Sequence, residues 1–92
     1  MVTLRLFASL RDAVGQKEVQ VHQEDTTLKQ LLDEFAAQHG ERVRDFLFDK
    51  NGNIWQSVML LLNGQPMERD PAAPVRSGDV VSILLPTAGG RR

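Results

Sequence analysis

The residues of this chain that could do chemistry stand in the run Thr87-Ala88-Gly89-Gly90-Arg91-Arg92. Residues 87–90 are all small, so they offer nothing to pack and are expected to form a mobile tail. Two glycines without Cβ atoms can thread a narrow channel and lie extended in another protein's active site. A carboxylate on Gly90 would be a nucleophile towards the α-phosphorus of ATP, giving an acyl-adenylate that a sulfide equivalent or an amine then attacks. In the chain as it stands that carboxylate does not exist, because the Gly90 carbonyl is the amide to Arg91. The expectation is therefore a precursor: a peptidase acts at Gly90, removes Arg91 and Arg92, and leaves Gly90, with Gly89 before it, as the acyl carrier. The plain alternative is a tail that is never trimmed and carries nothing.

Little else converges on chemistry. No glycine-rich phosphate loop is present, so a partner enzyme must supply the nucleotide site and its metal. The absence of cysteine removes disulfides, thiolate-held clusters and thiol nucleophiles together. His22 and His39 have no carboxylates clustered around them in the sequence, so no metal site is expected. A net charge of -1 lacks the basic excess that nucleic-acid binding requires. No apolar run approaches the ~20 residues that span a bilayer, which predicts a cytoplasmic protein away from membranes. With no nucleophile–base pair, the chain is expected not to be an enzyme and to bind no cofactor itself.

The elements that must present this tail have clear periods. Val2, Leu4 and Leu6 alternate with Thr3, Arg5 and Phe7, and Glu18-Val19-Gln20-Val21 repeats the alternation, predicting a hairpin with a long connection through residues 11–15. Leu28, Leu31, Leu32 and Phe35 then fall at i, i+3, i+4 and i+7, one apolar helix face. Thr27 with Gln30 fits a capping box, and Gly40 suits the left-handed position that ends a helix. Residues 46–55 read as a short hairpin or tight turn around Asn51-Gly52. Residues 58–62 are apolar throughout and stop at Asn63-Gly64. Residues 66–74 read as an irregular loop, and residues 80–85 as a last strand ended by Pro86.

Two strands, a helix and further strands make an α+β fold, with a mixed sheet on one main helix. The strongly apolar strands near the two ends are the natural central pair, and the helix between them makes them parallel. That arrangement is a β-grasp over residues 1–86, followed by the tail at 87–92. A ferredoxin-like split fold would need a second helix, for which no other segment shows period and caps.

Strict alternation puts Phe7 on the face away from the helix, and either parity of residues 58–62 leaves apolar side chains such as Met59 and Leu61 there. An uncovered apolar face would be a docking patch, continued by Pro86, Thr87 and Ala88 towards the glycines. The alternative is that residues 66–74 or the Trp55 segment fold over it. Arg5 and Arg11 could steer an acidic partner surface, or be ordinary solvated charges. Trp55 is expected to pack at the edge of the core, and His39 to sit at a helix end.

Residues 2–15 (VTLRLFASLRDAVG) resemble the opening of the small subunit of molybdopterin synthase and related ubiquitin-like sulfur carriers. Residues 58–64 (VMLLLNG) are similar to their third-strand segment, residues 74–90 (PVRSGDVVSILLPTAGG) to their closing stretch, and residues 47–53 (LFDKNGN) to longer members, including the carrier that feeds a cysteine synthase. The resemblance implies a thiocarboxylate at Gly90, made after adenylation by a ubiquitin-activating-type adenylyltransferase with ATP and loaded by a sulfurtransferase. Sulfur would pass to an accepting biosynthetic enzyme, for molybdenum cofactor, an amino acid or tRNA. A protein modifier that joins Gly90 to lysine amines shares the first step. An interaction module with an inert tail is the third reading, and a monomer is expected for a domain that docks and releases.

Overall fold

A computed structural model of the chain describes residues 1–84. The element order is β1 (Val2–Leu6), α1 (Ala8–Val14), β2 (Glu18–Val21), β3 (Thr26–Thr27), α2 (Leu28–His39), α3 (Glu41–Leu47), β4 (Met59–Leu62), β5 (Gln65–Met67), β6 (Pro74–Val75) and β7 (Val80–Leu84). The main sheet runs β2-β1-β7-β4-β5, with β1 and β7 parallel at its centre and the other pairs antiparallel. This is the β-grasp expected from the two apolar end strands. β3 and β6 form a separate two-stranded ladder.

One face of the sheet makes the core. Val2, Leu4 and Leu6 of β1, Val19 and Val21 of β2, Leu60 of β4 and Val81 and Ile83 of β7 are buried against Leu28, Leu31, Leu32 and Phe35 of α2. Each fully buried side chain of this kind contributes about 1.5–3 kcal/mol relative to exposure. The N-terminus of α2 is closed by three acceptors: the Thr27 side chain takes the Gln30 N–H at 3.3 Å, Ala73 O takes the Leu28 N–H and Pro71 O takes the Lys29 N–H. Only half of the expected capping box forms, because the Gln30 side chain accepts from the Thr26 hydroxyl instead of returning to the Thr27 backbone. Gly40 has positive φ but an extended ψ of 178°, and it leads directly into α3 rather than into a left-handed cap.

Three sequence expectations are corrected. The connection between β1 and β2 is a helix, α1, which buries Leu10 and stops at a left-handed Gly15. Two turns with one fully buried residue are too short to show a period. Residues 41–47 are helical too, so Phe46 and Leu47 do not belong to a hairpin; Val43, Phe46 and Leu47 carry the i, i+3, i+4 signal, masked by the extended-looking run at 46–48. Residues 65–67, taken in part as loop, form the edge strand β5, where Pro66 lies opposite Leu61. A sheet edge tolerates proline because its missing N–H can face solvent.

The turn at Asn63-Gly64 forms as expected, with φ of 52° and 85°. At residues 49–53 the loop is closed differently: the Asp49 carboxylate accepts from the Asn51 and Asn53 N–H groups, and only Gly52 has positive φ. Phe48 and Ile54 make a single antiparallel bridge.

At the end of the sheet where β7 begins, Asp79 is a clasp. Its carboxylate accepts the Arg76 N–H at 2.8 Å and the Asn63 side-chain amide at 3.0 Å, while Asn63 Oδ1 takes the Val80 N–H. The Arg76 N–H first and the Asn63 amide second hold the Asp79 carboxyl below its usual value, against a smaller opposing effect of burial. A depressed carboxyl pKa contributes stability that is present above the unfolded value and lost as pH falls through the folded one. Asp79→Asn is therefore expected to cost about 1 kcal/mol at neutral pH, where the pair is partly screened by solvent. Urea unfolding of both chains from pH 7 down to strongly acidic pH checks this: the gap should close on acidification, and a gap independent of pH would contradict the clasp.

Candidate functional site

The face of the sheet turned away from α2 is built by alternation along each strand. Thr3 and Arg5 of β1, Glu18 and Gln20 of β2, Val80, Ser82 and Leu84 of β7, Met59 and Leu61 of β4 and Pro66 of β5 lie there. Register orders them in rows. Glu18, Arg5, Ser82, Leu61 and Pro66 follow one another across the five strands. Leu84 lies opposite Met59 on one side, and on the other β1 runs from Leu6, the partner of Ile83, into Phe7. Phe7 keeps extended backbone before α1 begins. The last described residue, Leu84, therefore lies between Phe7 and Met59.

Met59 stands open on this strip, while Ser82 at its centre is buried. Met59 is 60% exposed, and Phe7, Leu61 and Leu84 are half-buried. Both segments that could have folded over it are tied to the other side. Pro71 and Ala73 give their carbonyls to the start of α2. Trp55 donates its indole N–H to Asp45 O at 2.9 Å and its backbone N–H to Leu47 O, which fastens it to α3; it is 45% exposed. The expected packing place of Trp55 is thus an exposed ledge beside α3 rather than the core's edge.

Of the residues singled out in the sequence, Phe7, Met59 and Leu61 share this face. Pro86, Thr87, Ala88, Gly89, Gly90, Arg91 and Arg92, and with them the boundary of the tail, lie outside the described residues. Leu84 was not singled out. Its membership follows from strand pairing and has no signal in the sequence beyond its apolar type. Arg5 and Arg11 lie at the corner next to Phe7. The Arg5 guanidinium stands 5.9 Å from the Phe7 ring centre and 3.6 Å from the Glu18 carboxylate, and Arg11 is 3.8 Å from Asp12.

Elsewhere a hollow of ≈ 830 Å³ opens between residues 51–56 and 68–71. Its cations Lys29 and Arg69 share the lining with Glu68 and Asp70, and Lys29 is held by Asp33 at 2.8 Å. Burial works against ionisation of Asp33, yet the hydrogen bonds from Lys29 and Arg44 outweigh it and keep this carboxyl below its usual value. Arg69 donates to Val58 O at 3.4 Å and Asp70 accepts the Ala72 N–H, and the lining brings no nucleophile beside a base. His39 packs on Phe35, ring centres 5.0 Å apart, and no group of metal-ligating side chains forms among the described residues. None of the described helices is long and apolar enough to cross a membrane.

The chain matches the ThiS family over residues 4–90, a span that includes Gly89 and Gly90 and leaves Arg91 and Arg92 outside. It is 31% identical over 90 residues to small archaeal modifier protein 3 of Haloferax volcanii, covering 95% of this chain and 96% of that one. In structure it is similar to SAMP1 from Haloferax volcanii, with a TM-score of 0.84, 24% identity and coverage of 97% and 98% of the two chains. It is also similar to a chain of the BexX/CysO complex of Amycolatopsis orientalis, with a TM-score of 0.75, 24% identity and coverage of 98% and 100%. A β-grasp sheet and a family match running almost the whole length make this chain a member of the ThiS family of ubiquitin-like sulfur carriers.

Proposed function

We propose that this protein carries sulfur as a thiocarboxylate on Gly90, made by a partner adenylyltransferase after Arg91 and Arg92 are removed. The observation that carries the reading is the place of Leu84, the last described residue, opposite Met59 and beside the end of β1 at Phe7, on a sheet face whose Met59 side chain is exposed. A partner seated on that strip would receive the following residues directly. Gly90 is the sixth residue after Leu84, and an extended chain spans at most ~3.3–3.6 Å per residue, enough to reach a nucleotide site about 20 Å away.

The chemistry divides between the two proteins. A peptidase hydrolyses the Gly90–Arg91 amide and frees the carboxylate. Its oxygen attacks the α-phosphorus of ATP in the partner's site, and pyrophosphate leaves. A sulfide equivalent delivered by a sulfurtransferase attacks the acyl carbonyl, the bond to AMP breaks, and the thiocarboxylate remains. The carrier then docks on a sulfur-accepting biosynthetic enzyme through the same strip, so the domain itself is not an enzyme and holds no cofactor of its own. The CysO relative in complex with BexX supports a mode of action in which the β-grasp chain works docked on another protein.

A second reading has its own support in the relative that is a small archaeal modifier protein. There a lysine amine attacks the acyl-adenylate, loses a proton and expels AMP, leaving an isopeptide bond. The intact mass of the protein recovered from its own cells, with its C-terminal peptide sequenced, tests the first reading. A chain ending at Gly90 with one oxygen replaced by sulfur supports it. A chain ending uniformly at Arg92 overturns it, and Gly90-dependent conjugates without any thiocarboxylate favour the modifier.

Docking has a separate expectation. Met59→Asp places a charge where a partner must desolvate it, at a position exposed enough to leave the fold intact. Complex formation with the adenylyltransferase should weaken about a hundred-fold, the scale of losing an interface anchor of 2 kcal/mol or more. Binding by calorimetry, with a thermal melt as the fold control, checks it.

A further inference from the structure

The apolar strip is bordered at one end by a corner of a different character. Arg5, Arg11 and Lys17 line a hollow of ≈ 400 Å³ with Leu6, Phe7 and Glu18, where β1, α1 and the start of β2 meet. A second opening on the same corner is lined by Arg11, Asp12, Gly15, Gln16 and Lys17. The hollow is positioned by backbone: Leu6 N–H donates to Lys17 O at 2.8 Å, and Gly15 N–H to Arg11 O at 2.7 Å. These two bonds fix where the Arg11 and Lys17 side chains begin.

The charges there are poorly neutralised. Arg5 reaches Glu18 only at 3.6 Å and Arg11 reaches Asp12 only at 3.8 Å, with all four side chains about half exposed or more. Such pairs are worth little and are readily exchanged for better acceptors. Lys17 has no carboxylate within ion-pair distance among the described residues. Three cations against two carboxylates leave a local positive excess on a chain whose net charge is -1. That excess lies beside Phe7, at the end of the sheet where β1 stops, and not on the α2 side, where Lys29 and Arg44 are both engaged by Asp33.

Resting on the proposed docking of an adenylyltransferase on the open sheet face, we infer that the Arg5, Arg11 and Lys17 corner is the carboxylate-recognising half of that interface. The partner surface that covers Met59 and Leu61 carries acidic side chains opposite Phe7. The face then has two unlike ends, cations by β1 and β2 and apolar side chains on β4 and β7. A partner can dock in one orientation only, the one that aims the residues after Leu84 at its nucleotide site. Charge of this kind acts mainly on the rate of encounter and on orientation, while apolar burial acts mainly on dissociation.

The test measures association and dissociation rates with the adenylyltransferase from the same genome, using a chain ending at Gly90, across a range of salt concentrations. The variants are Arg11→Glu with Lys17→Glu, Met59→Asp alone, and Arg42→Glu with Lys50→Glu. The last pair makes the same change in net charge at exposed positions away from the face. The inference expects the first pair to lower the low-salt association rate about ten-fold or more and to flatten its salt dependence, with dissociation nearly unchanged. The Arg42 and Lys50 pair should stay close to the parent. Equal effects of the two charge pairs, or none from either while Met59→Asp abolishes binding, overturn this inference and leave the carrier reading standing. If Met59→Asp also binds like the parent, the docking face itself is wrong. Melting curves matching the parent confirm that each variant folds.

Discussion

A chain shortened to end at Gly90 is expected to consume ATP and form an acyl-adenylate at Gly90 with its activating enzyme, and the chain carrying Arg91 and Arg92 is expected to form none there. At Gly90 the difference is all-or-none, because it rests on bonding and not on affinity. Adenylation needs an anionic carboxylate oxygen, and the Gly90–Arg91 amide offers only a carbonyl whose electron density is shared with nitrogen. Pyrophosphate exchange by the adenylyltransferase, measured with each chain, reads the step directly. Adding back the trimming activity from the native cells should convert the longer chain from inactive to active. Thiocarboxylate on a chain that still carries both arginines would remove the precursor mechanism. A shortened chain that stays inert, with docking intact, would remove the acyl carrier and leave an interaction module.

The second large effect is on the fold. Phe35 is 0% exposed in the middle of α2, its ring against the buried leucines and valines of β1, β2 and β7. Phe35→Ala is expected to cost about 3–5 kcal/mol, through lost transfer energy and an unfilled cavity. A domain of this length holds roughly 5–14 kcal/mol in total, so the change takes a large share of it. The melting temperature should fall by more than about 10 °C, and the urea midpoint should move with it. A shift within a few degrees would mean that α2 does not seal the sheet as described. Loss of folding would also abolish docking, which is why the docking variants were confined to exposed positions.

The linear pattern went furthest where one period ran long enough to be seen. The stripe Leu28, Leu31, Leu32 and Phe35 could only be a buried helix face, and Thr27 marked its start through a hydroxyl that caps the Gln30 N–H. The alternation of Val2, Leu4 and Leu6, matched by the apolar run at 80–84, required a parallel central pair once a helix lay between them. The Asn63-Gly64 turn was legible because positive φ at both positions suits that pair of residue types. The short elements were not legible in this way. α1 buries only Leu10 completely, and β5 starts with a Gln-Pro pair that reads as loop until an edge strand is known to be there.

The site divides along the same line. The reading of Gly89 and Gly90 as an acyl carrier, with Arg91 and Arg92 to be removed, came from residue type and order alone, because the proposed chemistry depends on covalent structure that folding does not alter. The strip of Phe7, Leu84, Met59 and Leu61 was half visible as alternation, but alternation cannot say whether a face is covered. That was decided by hydrogen bonds made far along the chain: Pro71 and Ala73 to the start of α2, and Trp55 to the end of α3. Of the cationic corner, Arg5 and Arg11 were singled out in the sequence, while Lys17 and the grouping of the three came from tertiary structure. Arg5, Arg11 and Lys17 stand at i, i+6 and i+12, and they fall in β1, in α1 and just before β2, so no one local period joins them. They line one hollow because a strand, a helix and a returning strand meet there, bringing together side chains from three different local periods.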